Sequence, residues 1–251
     1  MVYIQSKNNN TVAHHFDCSC ALYGAEDSAM DYRLVSFEEV QSGKMDALIR
    51  HNLFVGSVEF MREVFSRVGL KDVRMPLNSD RKHEIITLGE AKEIAKSGKK
   101  IFIKPFEIKL FTGFVLDQMQ YSCLNDVPDD TKVMAYEPFR DRLLSEWRIY
   151  VHRGKIVDSR NYSGDFKLSP DNYYAHLENK LKDFKGLLWS LPIAYTVDIG
   201  ILDALERRNE FPTVKYVIVE FNDMWAIGNY GMPNDLYLDL LRDRYFEIMK
   251  R

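Results

Sequence analysis

Cysteine is scarce in this sequence: there are three in 251 residues, and two of them, Cys18 and Cys20, stand a single position apart. A complete disulfide framework is excluded, and reduced thiols are expected. The stretch His14-His15-Phe16-Asp17-Cys18-Ser19-Cys20 crowds soft ligands together. Zinc sites, however, space their cysteines by roughly two to four residues and need a second ligand pair. No such pair is visible, so a loop is expected there. Long hydrophobic runs are also missing: nothing approaches the roughly 18 apolar residues of a membrane helix. The opening MVYIQSKNNN lacks the charged-then-apolar layout of a signal peptide. Charge of one sign is missing too, because 34 Lys and Arg against 37 Asp and Glu leave a formal net charge of -3. That balance offers no general attraction to phosphate backbones or acidic membranes, so neither nucleic acid nor membrane is an expected partner. The cytoplasm is the expected compartment. What is present is a globular composition, 46% hydrophobic and 28% charged, long enough for one large domain or two small ones.

The first part of the chain alternates short strands and helices. Met1 to Gln5 and Arg33 to Phe37 are the candidate strands. Val55, Val58, Phe60, Met61, Val64, Phe65 and Val68 recur at helical spacing, with Ser57 as a cap inside the segment and Gly69 as a stop. The polar, turn-rich stretch Lys71 to Lys82 marks a boundary, which divides the chain into an α/β lobe over 1–75 and a larger domain over 76–251. Beyond it, Leu88 to Lys96 is a short helix and Lys100 to Ile108 a buried strand. Val133 to Phe139 is a further strand, and Glu146 to His152 pairs with Lys155 to Tyr162 about a turn at Arg153-Gly154. His176 to Leu188 has helical character, Ile193 to Ile201 and Thr213 to Asp223 are strands, and Asp235 to Lys250 closes the chain as an amphipathic helix. The class is α+β, with a largely antiparallel sheet in the second lobe.

Two clusters of opposite charge stand out. Strict alternation along Thr213 to Asp223 puts Glu220 and Asn222 on one face, together with Tyr216 and Ile218. A carboxylate and an amide at the end of an apolar face are oxygen donors of the kind a hard cation such as Mg²⁺ accepts; polar residues at a strand end also simply meet water. Asp198 lies in the middle of the apolar run Ile193 to Gly200 and needs a partner, either the neighbouring Glu220 and Asn222 around an ion or an arginine or backbone group. The cations are Lys104 in an apolar strand, Lys109 just beyond it, Arg148 within Glu146-Trp147-Arg148, and Arg160 on the paired strand. A buried lysine demands an anion such as a triphosphate, although for Lys109 a head group reaching back to water fits equally. No P-loop, G-x-G-x-x-G, kinase catalytic-loop or G-x-S-x-G motif occurs, so a nucleotide would have to be held between sheets.

In this order the residues resemble the ATP-grasp superfamily. Ile103-Lys104-Pro105 is similar to its strand lysine, and Met134 to Pro138 to its adenine hinge. Trp147 to Val151 with Gly154 to Val157 is similar to its phosphate-contacting hairpin, and Asp198, Glu220 and Asn222 to its metal ligands. More narrowly, Lys104, Lys109 to Gly113, Glu146 to Arg148 and Glu220 to Gly231 resemble a divergent clade defined by an arginine and two lysines. That clade includes a eukaryotic translation-initiation-factor assembly protein. The resemblance implies two α+β lobes clasping a nucleotide between antiparallel sheets, preceded by a small α/β lobe. It implies ATP held by Lys104, Lys109, Tyr136, Glu137, Arg148 and Ile218, and Mg²⁺ held by Asp198, Glu220 and Asn222. Arg148, Lys104 and Arg160 would stabilise the transferring phosphoryl group. The implied reaction joins a carboxylate to an amine or thiol through an acyl phosphate, with a peptide, a protein or a modified base as the acceptor. An ATP-loaded assembly factor without turnover is the alternative. The glycine-rich lid of the superfamily is reduced here to Phe111-Thr112-Gly113-Phe114.

Overall fold

The computed structural model describes residues 1–7, 11–13, 16–71, 73, 83–106, 110–184, 191–203 and 214–251. His14, His15 and Lys109 lie outside them, as do 107–108 of the expected strand, 185–188 of the expected helix, Thr213 and most of the expected boundary at 71–82. The chain forms two compact units, one of Met1–Asn78, Leu143–Leu202 and Val214–Arg251, the other of Ser79–Arg142 and Asp203–Thr213.

The first stretch of the larger unit contains β1 (Val2–Lys7), β2 (Thr11–Val12), α1 (Phe16–Asp27), β3 (Tyr32–Val35), α2 (Phe37–Gln41), α3 (Asp46–Ile49), β4 (Leu53–Val55) and α4 (Val58–Arg67). β1 pairs in parallel with β3 and β4, and antiparallel with β2. Two expectations shift. Phe37 starts a helix rather than ending a strand, because the Ser36 hydroxyl accepts the Glu39 amide while the Glu39 carboxylate accepts the Ser36 amide. The periodic helix begins at Val58, with Ser57 as its cap, and Val55 ends β4. The Cys18–Cys20 stretch is helical and not a loop. Both thiols are buried in the first turns of α1, and burial pushes Cys18 up to about 12 and Cys20 up to about 11, which keeps them protonated and unsuited to metal.

The smaller unit runs β5 (His83–Thr87), α5 (Leu88–Lys96), β6 (Ile101–Pro105), β7 (Phe114–Leu116) and β8 (Lys132–Tyr136), forming an antiparallel sheet in the order β5-β8-β6-β7. Thr87 and Glu90 cap α5 reciprocally, and Leu88, Ala91 and Ala95 bury its apolar side with Ile103, Leu116 and Val133.

The chain then returns to the larger unit with β9 (Leu143–His152), β10 (Lys155–Gly164), α6 (Tyr174–Phe184), β11 (Ala194–Asp203), β12 (Val214–Asp223) and α7 (Asn234–Met249). Its sheet order is β10-β9-β11-β12, with β9 antiparallel to both β10 and β11. Arg153 and Gly154 both have positive φ, 52° and 77°, which is the tight hairpin turn that matches strand twist. One face of this sheet packs Ile149, Val151, Tyr195, Val197 and Ile199 against Leu177 and Leu181 of α6. α7 joins the N-terminal core through Tyr237, Leu241, Tyr245 and Ile248. It approaches α1 so closely that a Cβ on Gly24 would collide with the Asn234 carbonyl. Among the described residues, no helix is long and apolar enough to cross a membrane.

Candidate functional site

Strand register builds the site. Asp198 of β11 stands opposite Arg148 of β9, and Arg160 of β10 stands opposite Arg148 on the other side, so the three share one face. Arg148 donates Nε–H to Asp198 Oδ1 at 2.8 Å and Nη2–H to Oδ2 at 2.7 Å, a bidentate pair with both residues buried. Of the partners weighed for the lone strand aspartate, the structure supplies an arginine and also the two β12 side chains. Asn222 Nδ2 donates to Asp198 Oδ2 and to Glu220 Oε1, each at 3.2 Å. Asp198, Glu220, Asn222 and Arg148 are therefore brought together.

Glu220 and Asn222 do lie on one side, but Tyr216 and Ile218 lie on the other. Ile218, Phe221 and Tyr216 all belong to the apolar cluster under α6, and Val217 and Val219 line Gly200 on the Asp198 side. The period of two breaks before Glu220, and a sequence pattern cannot show such a break. Ile218, expected at the nucleotide, is 2% exposed within that cluster.

Sequence reasoning gave no role to Glu146 or Tyr162. Glu146 is two residues from Arg148 and so on the same face, a signal available in the strand pattern. Tyr162 sits at a β-bulge between Asn161 and Ser163, which no pattern reveals. Its hydroxyl is 3.2 Å from Glu146 Oε1 and 3.5 Å from Asp198 Oδ2. Arg160 keeps its Nε on Asp158 at 2.9 Å.

The cluster holds more negative charge than one guanidinium neutralises. Burial pushes Asp198 up to about 6 against the opposing pull of Arg148, and Glu220 adds to the rise. Glu146 is raised by burial and by Glu220, against the Tyr162 hydrogen bond. Burial opposes the charge of Arg148, but the Asp198 pair outweighs it and keeps the guanidinium ionised. A carboxylate-rich cluster with one amide oxygen suits a hard divalent cation. Among the described residues no three His, Cys, Asp or Glu side chains form a ready metal cage. Mg²⁺ needs none, since it is commonly held by one or two carboxylates together with substrate phosphates.

Lys104 and Tyr136 belong to the smaller unit. β6 and β8 place them on one face, with Lys104 Nζ 5.6 Å from the centre of the Tyr136 ring. Gly113, in the shortened lid, lies against β6: a Cβ there would stand 3.1 Å from Lys104 Cβ. Glu137 is exposed, 3.7 Å from Arg140.

A family model described as an ATP-grasp domain, family 2 of the clade named for one arginine and two lysines, matches residues 79–240, more than half of the chain. The chain belongs to this family. The ATP-grasp fold is shared with a D-alanine–D-alanine ligase from Bacillus anthracis, at 11% identity and a TM-score of 0.58, over 99% of this chain and 97% of that one. It is shared with N5-carboxyaminoimidazole synthase from Aspergillus clavatus, at 10% identity and a TM-score of 0.56, over 96% of this chain and 76% of that one. A RimK-domain ATP-grasp protein from Sphaerobacter thermophilus is similar at 10% identity and a TM-score of 0.50, over 99% of this chain and 98% of that one. No curated protein sequence matches this ATP-grasp chain.

Proposed function

We propose that this chain is an ATP- and Mg²⁺-dependent ligase that joins a carboxylate to an amine or thiol through an acyl phosphate, with 1–75 as the lobe preceding the grasp domain of 76–251. The observation that supports this most is the meeting of Arg148, Asp198, Glu220 and Asn222 on one face of the β9–β12 sheet. Membership of the ATP-grasp family supports the nucleotide, and the ligase and synthase among its structural relatives support the reaction class.

In this reading a substrate carboxylate oxygen attacks the γ-phosphorus of ATP, the bond from that phosphorus to the β,γ-bridging oxygen breaks, and ADP leaves. The amine or thiol then attacks the acyl carbon, phosphate departs, and the nucleophile's proton passes to solvent. Mg²⁺, when bound, neutralises phosphate charge and orients the transferring group. Glu220, Asn222 and one Asp198 oxygen would hold it. Arg148 is fixed by Asp198 before substrate arrives, so it meets developing negative charge without reorganising. Lys104 binds phosphate oxygens, Tyr136 and Glu137 border the base and ribose, and Arg160 faces the acyl phosphate. The acceptor class is a peptide, a protein or a modified base.

Lys104→Ala should weaken ATP binding about tenfold or more, the loss of one charge-assisted phosphate contact. Equilibrium dialysis against labelled ATP checks it, and unchanged affinity would remove Lys104 from the nucleotide. The reaction is tested by chromatography of Mg·ATP incubated with the protein and fractions of amino acids, peptides and cell extract. ADP and phosphate that appear only with an added fraction support a ligase. AMP with pyrophosphate would contradict it, and tight ATP binding without turnover in any fraction would favour the assembly-factor relationship.

A further inference from the structure

The loop that follows β12 is built to hold one ring in place. Tyr230 has a left-handed backbone, φ 51°, in a position where a bulky residue is strained. Four contacts enforce it from three different elements and from the loop itself. The Tyr237 hydroxyl of α7 donates to the Ile227 carbonyl at 2.6 Å. The Tyr150 hydroxyl of β9 lies 2.7 and 2.6 Å from the carbonyl oxygens of Gly228 and Asn229, donating to one at a time. Asp17 of α1 accepts the Asn229 amide at 3.2 Å, and the buried Asn229 side chain accepts the Gly231 amide at 2.7 Å.

The ring so placed is 44% exposed, yet it stacks on Tyr162 with centroids 5.1 Å apart and planes 18° apart. The Arg148 guanidinium carbon lies 4.9 Å from the Tyr230 centroid and 5.5 Å from that of Tyr162. Asp198 fixes the Nε and Nη2 edge of Arg148, and the two rings flank its face. Gly228 leaves the room this needs, since a Cβ there would stand 3.3 Å from the Tyr230 ring and 3.5 Å from Arg148 Nη1.

We infer that Tyr230, backed by Tyr162, is a positioning residue that holds the Arg148 guanidinium in its working plane through its ring and not through its hydroxyl. The inference rests on the reading of Arg148 as a phosphate contact. It explains why a strained tyrosine occupies a surface loop where glycine or asparagine would fit without cost.

The test is titration calorimetry of a non-hydrolysable Mg·ATP analogue, with the thermal midpoint of each nucleotide-free variant recorded alongside. Tyr230→Ala should weaken binding about tenfold, the scale of a desolvated cation–ring contact, while Tyr230→Phe stays within about twofold of the parent. Arg148→Lys should weaken binding too, because an ammonium cannot keep the bidentate, ring-flanked geometry. In the Arg148→Lys background the further change to Tyr230→Ala should cost less than about twofold, since the group it acts through is gone. Full affinity in Tyr230→Ala beside weakened Arg148→Lys overturns the positioning role and leaves the phosphate contact standing. Unchanged affinity in both overturns the reading of Arg148 itself. Equal losses in the Phe and Ala variants overturn the assignment to the ring. If Tyr230→Ala lowers the midpoint enough to prevent the titration, Gly228→Ala displaces the ring without removing it and should weaken binding to the same degree; parent-like affinity there overturns the inference.

Discussion

Arg148→Ala should lose about 3–5 kcal/mol of folding stability, the cost of removing one partner from a buried ion pair. The pair is bidentate and both side chains are almost fully enclosed. Its loss would leave Asp198 beside Glu220 and near Glu146 without the cation that faces them. Asp198 sits at about 6 even with the guanidinium present, so it would take up a proton at neutral pH once that cation is gone. The loss should therefore fall toward the lower end of the range. Added Mg²⁺ should raise the denaturant midpoint of this variant more than that of the parent, because the vacated charge suits a divalent cation. Urea unfolding with and without Mg²⁺ checks both statements. A variant as stable as the parent would show that the pair contributes nothing net, and an equal Mg²⁺ effect in both proteins would count against a cation at this cluster.

Arg244→Ala should be destabilising on the same scale, about 3–5 kcal/mol. Arg244 of α7 is fully buried and donates Nε–H to Asp223 Oδ1 at 2.6 Å, Nη2–H to Oδ2 at 2.5 Å and Nη1–H to Glu247 at 2.7 Å. Burial raises Asp223 and the Arg244 pair opposes that rise, so the variant would leave a carboxylate enclosed with no cation. Glu247 is partly exposed and contributes less, although its carboxylate also accepts the Ile193 amide just before β11. Asp223 follows Asn222 directly, so the defect also loosens the end of β12 that carries the amide. Chemical denaturation should show the loss, and Asp223→Asn, which keeps one acceptor for Arg244, should lose less. Equal stability of Arg244→Ala and the parent would refute the structural role.

Much of the fold was legible because its strands and helices are locally consistent. The lysine strand, the Arg153-Gly154 hairpin and the last helix all carry periodicity and turn residues that agree with their place in the structure. The α1 helix was not legible, since its Phe16 to Asp27 sequence lacks a strong amphipathic pattern and its paired cysteines suggest a loop first. At the site, the spacing of Glu220 and Asn222 identified two residues that share a side. The bulged Tyr162, the break before Glu220 and the ring of Tyr230 on Arg148 depend on register irregularity and long-range packing, and alternation alone predicts the wrong side for Ile218.

The acidic and amide face of β11 and β12 is, in the proposed reading, where Mg²⁺ meets the nucleotide. Equilibrium dialysis of labelled ATP with and without Mg²⁺, on the parent and on Glu220→Ala, tests that claim most directly, with circular dichroism confirming that both are folded. The parent should bind at least about tenfold more tightly with Mg²⁺, and the variant should show no such gain. An identical Mg²⁺ dependence in the two proteins would contradict the assignment and place the cation elsewhere on the chain.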